Sequence, residues 1–393
     1  MALVLSVTFY NFRGSNMKLC LKPTIIPFKL EGQVVLRFNG QYAKIPDLHG
    51  AIWEFVTALD GRKPFEELIT HVAERYPAVD QDQIRSVAQD LIQYRLVESP
   101  EAFAVTSLSD HDRIRFSRNI DFFGSMVAVG ENKFGHQEKL RAARVCVLGC
   151  GGLGTHILFD LVALGVHHLT ILDFDTIELS NLNRQILYKE SDVGMPKVVT
   201  ARRRLLEFNS HLDVTALEAR LESTRDIANV VRGHDIVICV ADKPANYMAD
   251  WLNEACVEQG VPFISGGLDV RRSVFYSVVP GTSGCGACWL ASARSKSSLV
   301  NSISTMAKQQ DITYEHPGPA LVTLVAVTAG MMVSETVKIL TGCQPPQLTN
   351  KLKEFTFDDL DVSVAEVWQQ NPDCTVCGHL ANSQRSRVQS ETV

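Results

Sequence analysis

A short apolar run over residues 144–148 passes directly into Gly149-Cys150-Gly151-Gly152-Leu153-Gly154 and from there into a segment with helical character. This passage from strand through glycine turn to helix limits the possible folds more than any other stretch of the chain. Glycines at such a turn let the backbone approach phosphate groups, and the helix that follows offers unpaired N–H groups at the positive end of its dipole. The alternation continues downstream, because residues 169–172 and 236–240 are apolar runs suited to buried parallel strands. The expectation is an α/β fold built on a largely parallel sheet. Asp173 closes the second strand, nineteen residues after Gly154, where a carboxylate can accept ribose hydroxyls. These features indicate a nucleotide without separating a dinucleotide from ATP.

The next segment makes that separation. Asp173-Phe174-Asp175 is followed by Asn181-Leu182-Asn183-Arg184-Gln185 and then by Gly194-Met195-Pro196-Lys197. Hydride transfer has no general need for an arginine and a lysine at these points. A triphosphate does, since its charge must be held while the α-phosphorus is attacked. Asp242 lies just past the 236–240 strand, at the carboxyl edge of the sheet where open α/β folds bind ligands, and a carboxylate there can hold Mg²⁺. Taken singly, Arg184 and Lys197 read equally well as surface charge and Asp242 as a loop cap. Their order along the chain is what makes the bland reading improbable.

Ten cysteines in 393 residues are too few for a disulfide scaffold. Four of them form two pairs, Cys285-Gly286-Ala287-Cys288 and Cys374-Thr375-Val376-Cys377. Four thiolates complete a closed tetrahedral zinc shell, so the expectation is a structural Zn²⁺ that staples the C-terminal segment to the sheet. A redox role for either pair is the rival reading.

Residues 31–100 form a separate pattern. Runs at 34–38 and 42–45 flank Asn39-Gly40, a dipeptide that favours a tight hairpin. Three helices should follow. The first covers 48–59, with Leu48, Ile52, Phe55, Val56 and Leu59 at helical spacing. The second starts at Pro64, and the third is capped by Asp80. A winged-helix unit is expected. Residues 1–30 carry no clear pattern, and the tail 381–393 is polar.

The net charge of −6 argues against a chain that holds nucleic acid mainly through phosphate contacts. Within the third helix, Arg85 and Arg95 face Asp80, Asp82 and Asp90, a poor match to a phosphate backbone. The apolar stretch 319–340 carries Glu335 and Lys338, which fits a buried helix better than a membrane span. The chain is expected to be cytoplasmic, with neither a nucleic-acid nor a membrane partner.

The glycine loop, the Asn181-to-Gln185 and Gly194-to-Lys197 segments, Val240-Ala241-Asp242 and the two cysteine pairs together resemble the ubiquitin-activating-like adenylating superfamily of ThiF/MoeB type. The resemblance extends over about residues 110–380. It is strongest to the peptide-modifying branch that includes microcin C adenylating and pantocin A maturation enzymes. It implies a Rossmann-like adenylation domain over residues 101–380, with Gly149, Gly151, Gly152 and Gly154 cradling ATP. Asp173, Asp175 and Asn181 would complete the nucleotide site. Arg184, Gln185 and Lys197 would contact the phosphates, and Asp242 would hold Mg²⁺. Arg118 matches an arginine that reaches into the partner subunit's ATP site in that family, which implies a homodimer. The 31–100 unit resembles a precursor-recognition module. By that resemblance it would take the leader of a ribosomal precursor peptide as an added strand, between the 34–45 hairpin and the third helix.

These implications converge on ATP-dependent maturation of a ribosomally made peptide by adenylation of a carboxylate or carboxamide, followed by capture within the peptide. Pantocin-like glutamate activation with ring formation is preferred. Adenylation of a C-terminal Asn, as in microcin C, and of the terminal Gly of a sulfur-carrier or ubiquitin-like protein are the alternatives. Residues 289–320 contain no cysteine, and Cys256 and Cys343, which remain candidates, read more simply as buried thiols, so no thioester intermediate is expected. Residues 294–314 read as a lid, and Tyr314, Glu315 and His316 as candidates for proton transfer.

Overall fold

The computed structural model describes residues 2–4, 16–103, 105–297, 302, 306 and 318–380. Most of the expected lid, the residues Tyr314, Glu315 and His316, and the polar tail lie outside the described residues. The chain divides into two compact units, Met1–Glu138 and Lys139–Val393.

In the first unit, β1 (Ala2–Val4), β2 (Lys18–Leu21), β3 (Ile26–Leu30), β4 (Gln33–Phe38) and β5 (Gln41–Pro46) precede α1 (Ala51–Thr57), β6 (Asp60–Pro64), α2 (Phe65–Arg75), α3 (Gln81–Gln93) and β7 (Val97–Glu98). One sheet runs β1-β5-β4-β3 and a smaller one β6-β2-β7. Asn39 and Gly40 both take positive φ, 44° and 71°, which gives the hairpin turn its twist. Helix α1 starts later than the spacing predicts. Gly50, at φ 85°, breaks the helix, and the Asp47 carboxylate accepts the N–H groups of Ile52 and Trp53. Leu48 is therefore left outside the helix and 84% exposed. Pro64 and Asp80 begin α2 and α3 as expected, with Asp80 accepting from the N–H of Asp82. The core gathers Leu19, Val34, Leu36, Phe55, Ile69 and Leu91. Strands β2 and β3 fall in the region that shows no pattern in sequence. Their pairing partners lie at Asp60–Pro64, Val97–Glu98 and Gln33–Phe38, and only the fold reveals them. Two short helices, α4 (Asp110–Arg115) and α5 (Ser117–Gly124), come next, followed by α6 (Gly135–Ala142).

The second unit is an eight-stranded mixed sheet. Its elements are β8 (Arg144–Leu148), α7 (Gly152–Leu164), β9 (His168–Asp173), α8 (Lys197–Phe208), β10 (Asp213–Glu218), α9 (Thr224–Val231), β11 (Ile236–Cys239), α10 (Met248–Gln259), β12 (Phe263–Asp269), β13 (Arg272–Val278), α11 (Gly286–Lys296), α12 (Val322–Thr341), β14 (Lys351–Thr356) and β15 (Val362–Val367). The order is β10-β9-β8-β11-β12-β13-β14-β15. The first five strands are parallel, and β13, β14 and β15 continue antiparallel. The chain builds outward from β8 through β9 to β10, and the connection from β10 through α9 then crosses back to place β11 on the other side of β8. The crevice at the carboxyl ends of β8 and β11 is thus the switch point where such sheets bind ligands.

Helix α12 is long and apolar enough to cross a membrane by length and composition. Here it packs Leu324, Val325, Ala329, Met332 and Val333 against one face of the sheet. Its Glu335, 1% exposed, accepts the N–H groups of Gln347 and Leu348 and the Ser277 hydroxyl. A carboxylate with that many donors belongs to a protein interior, which supports the buried-helix reading over a span.

Candidate active site

Strand β8 ends where Gly149 must turn. Its φ is +103°, and a Cβ there would lie 3.0 Å from the Ala241 backbone N, so the glycine loop rests directly on the end of β11. A Cβ on Gly154 would stand 2.0 Å from the Gly149 carbonyl oxygen. Backbone cannot yield there as a flexible side chain would. Gly154→Ala is therefore expected to cost roughly 3 kcal/mol in stability and to abolish nucleotide binding. Gly151→Ala, whose Cβ would lie 3.8 Å from Gln185 Nε2, should fold normally. Thermal unfolding and nucleotide titration of both variants check this, and equal behaviour would refute it.

The loop is tied down from the neighbouring strand. Gly149 N–H donates to Leu172 O at 2.9 Å, and Cys150 N–H donates to Asp173 Oδ2 at 2.6 Å. Asp173 Oδ1 accepts the N–H of Asp175 at 2.8 Å. Both oxygens of Asp173 thus hold backbone, a task that strand spacing alone does not reveal. Asn181, buried, accepts the Glu178 N–H and shapes the turn that carries Arg184 and Gln185.

Arg184 lies over the loop. A Cβ on Gly152 would meet its Cδ at 3.4 Å. Its Nη1 donates to Ser180 O and to Asn183 Oδ1. Gln185 is 3% exposed, and its Oε1 has no partner among the described residues. Lys197, 7% exposed at the start of α8, donates from Nζ to Asp175 Oδ2 at 2.9 Å. The turn before it is locked by buried Asp192, which takes Arg203 and Arg204 and the Lys189 N–H. Burial pushes the Asp192 carboxyl up, but these donors, Arg204 foremost, outweigh it and hold it below the usual range. Asp242 is exposed in the loop after β11, at the same edge of the sheet. Arg118 is an exposed residue of α5 in the first unit.

The fold therefore brings the glycine loop, Asp173, Asp175, Arg184, Gln185 and Lys197 together. A loop bare of side chains and two cations fit a nucleoside triphosphate. Cys146, Cys239 and Cys256 are buried in the core, where burial pushes each thiol up, Cys239 to about 12.

The second cluster is metal-like. The sulfurs of Cys285, Cys288, Cys374 and Cys377 all lie within 4.8 Å of one another. Cys285 and Cys374 approach to 3.7 Å, and Cys288 and Cys377 to 3.4 Å. A tetrahedron of thiolates at zinc distance has sulfurs about 3.8 Å apart, so the donor set suits Zn²⁺. Two N–H groups point at the sulfurs, Asn253 Nδ2 at Cys285 and the Asn371 backbone at Cys288, as in the outer shell of a thiolate site. Neither donor has a signature in the sequence.

The arrangement defines a nucleotide-using α/β enzyme with a separate four-cysteine cluster whose donor set suits zinc. The chain belongs to the ThiF family, whose family model matches residues 116–376. It is an adenylating enzyme of ThiF/MoeB type that uses ATP. It is 31% identical over 277 residues to the molybdopterin-synthase adenylyltransferase of Escherichia coli (strain K12), a match covering 70% of this chain and all of that protein. It is 32% identical over 249 residues to the sulfur carrier protein adenylyltransferase of Thermus thermophilus, covering 62% of this chain and 84% of that protein. Among solved structures, E. coli MccB with AMPCPP and MccA superposes with a TM-score of 0.73 at 25% identity, covering 92% of this chain and 100% of that one. PaaA shares the fold, with a TM-score of 0.67 at 20% identity over 88% of this chain and 100% of that chain.

Proposed function

We propose that this chain adenylates a ribosomally made precursor peptide. One observation carries the reading. The likeness to MccB extends over 92% of the chain, whereas the match to the molybdopterin-synthase adenylyltransferase stops at 70%. The likeness to MccB therefore takes in most of the first unit, whereas the match to the molybdopterin-synthase adenylyltransferase, over that protein's whole length, leaves most of it uncovered.

In this reading residues 31–100 act as a winged helix that takes the leader as an added strand. The three-residue strand β1 occupies the outer side of β5 at Tyr42, Ala43 and Lys44, so in this reading the leader replaces or extends β1 at that edge, whereas the opposite edge strand β3 contains Pro27, which has no N–H to give. ATP lies over Gly149, Gly151, Gly152 and Gly154 with its ribose near Asp173. Arg184, Gln185 and Lys197 hold its phosphates. Asp175 hands Lys197 over to them, Asn181 shapes the turn that aims Arg184, and Asp242 holds Mg²⁺. A carboxylate or carboxamide oxygen of the peptide attacks the α-phosphorus and pyrophosphate leaves. A nitrogen or carbon of the same peptide then displaces AMP and closes a ring. The buried, protonated thiols Cys146, Cys239 and Cys256 are consistent with a route that forms no thioester. Exposed Leu179, Ile186, Val193, Met195 and Val199 flank the site. They support a homodimer in which Arg118 serves the neighbouring copy.

ATP–pyrophosphate exchange should be stimulated by a leader-bearing peptide and not by a carrier protein ending in Gly-Gly. The reverse result would move the chain to the second reading, which the names of its sequence relatives favour. Mass spectrometry of the product separates the peptide chemistries. Ring closure removes water, while adenylation of a terminal Asn leaves the peptide heavier by a nucleotide.

A further inference from the structure

Tyr188 stands between the two halves of the nucleotide site. Its ring is 6% exposed and belongs to the sheet core. Its hydroxyl donates to the Cys150 carbonyl at 2.8 Å and lies 3.3 Å from the Lys197 carbonyl. Cys150 is consequently tied through both backbone groups, its N–H to Asp173 and its C=O to Tyr188. Lys197 is fixed at two points of its own, its N–H donating to Asp175 O and its Nζ to Asp175 Oδ2, and its carbonyl shares the Tyr188 proton as the longer branch.

We propose that Tyr188 is a positioning residue for adenylation, its hydroxyl setting the pitch of the glycine loop relative to Lys197. The N–H groups of the loop point toward phosphate only while the Cys150 peptide plane is held, because rotating that plane turns the next N–H with it. A phenol is well suited to this task. Burial pushes its ionisation far up, so the hydroxyl remains a donor at any working pH. Nothing in the sequence marks the position, since a tyrosine in an apolar run reads simply as core.

The inference rests on the glycine loop being the nucleotide site. The test is Tyr188→Phe in the full chain, which keeps the ring and removes one oxygen. Titration with the Mg²⁺ complex of AMPCPP should show Kd raised about five- to tenfold, the size expected of one hydrogen bond that fixes a loop. Cys150, now fully buried, should react faster with a maleimide in the variant, as located by peptide mapping, and AMPCPP should suppress that labelling. An unchanged Kd, even with a lower melting temperature, would overturn the inference and leave the hydroxyl a mere stabiliser. If AMPCPP fails to bind the unaltered chain, the reading of the loop itself falls. Should the variant not fold, hydrogen exchange of the unaltered chain decides instead. Adding AMPCPP should slow the amides of residues 150–153 and of the first turn of α8 together, and independent responses would count against the coupling.

Discussion

Arg184→Ala is expected to cut pyrophosphate formation by about 100- to 1000-fold, the usual loss when one preorganised donor is removed from a developing anionic centre. The side chain lies across Gly152, and its own hydrogen bonds engage only Nη1. Nε and Nη2 have no partner among the described residues, so their three N–H donors remain for the phosphates. Those same bonds are local, to Ser180 and Asn183, and their loss should leave the melting temperature within a few degrees. Arg184→Lys should recover only part of the rate, because a point charge cannot reproduce the planar fork of a guanidinium. A variant that releases pyrophosphate at the parental rate would remove Arg184 from the catalytic set.

Loss of the four-cysteine site should be equally severe, but for stability. Metal analysis is expected to give about one zinc per chain, as a closed thiolate shell requires. Cys374→Ser or a strong chelator should lower the melting temperature by about 10 °C or more. For a unit of this size each kcal/mol is worth about 2–4 °C, and structural zinc contributes several kcal/mol. The physical reason is the connectivity. The pairs Cys285/Cys374 and Cys288/Cys377 each span 89 residues, so the metal closes a very long loop. The segment it anchors includes Trp368, whose indole donates to Gly284 O, and Glu366, which accepts from the Trp289 indole. Without the ion, limited proteolysis should cut first near residues 370–380. A chain free of zinc with two disulfides in its place would refute the assignment.

Much of the site can be read from the chain because its chemistry is local. A glycine turn between strand and helix, and a pair of cysteines with two residues between them, need only near neighbours to take shape, although the two pairs meet only through the fold. The family match confirms the adenylating class to which those motifs belong. The misreadings have equally definite causes. Leu48 fits a helical face by spacing, yet Gly50 and the Asp47 cap start the helix after it. Strand β2 shows no pattern because its stabilising partners lie up to 78 residues away, as between Cys20 and Glu98, while β3 is held by the adjacent β4 and lacks an alternation of its own, being exposed at Ile26, Phe28, Lys29 and Leu30.

The amino-acid order by itself determined the glycine turn, the two cysteine pairs and the class of chemistry, because each follows from residues close together along the backbone. The tertiary structure alone decided that Asp173 spends both oxygens on backbone N–H groups, that Tyr188 bridges Cys150 and Lys197, and that Glu335 secures the loop at Gln347 and Leu348. Those links join segments whose proximity depends on which strands become neighbours. Packing and chain closure settle that choice, and no local period records it.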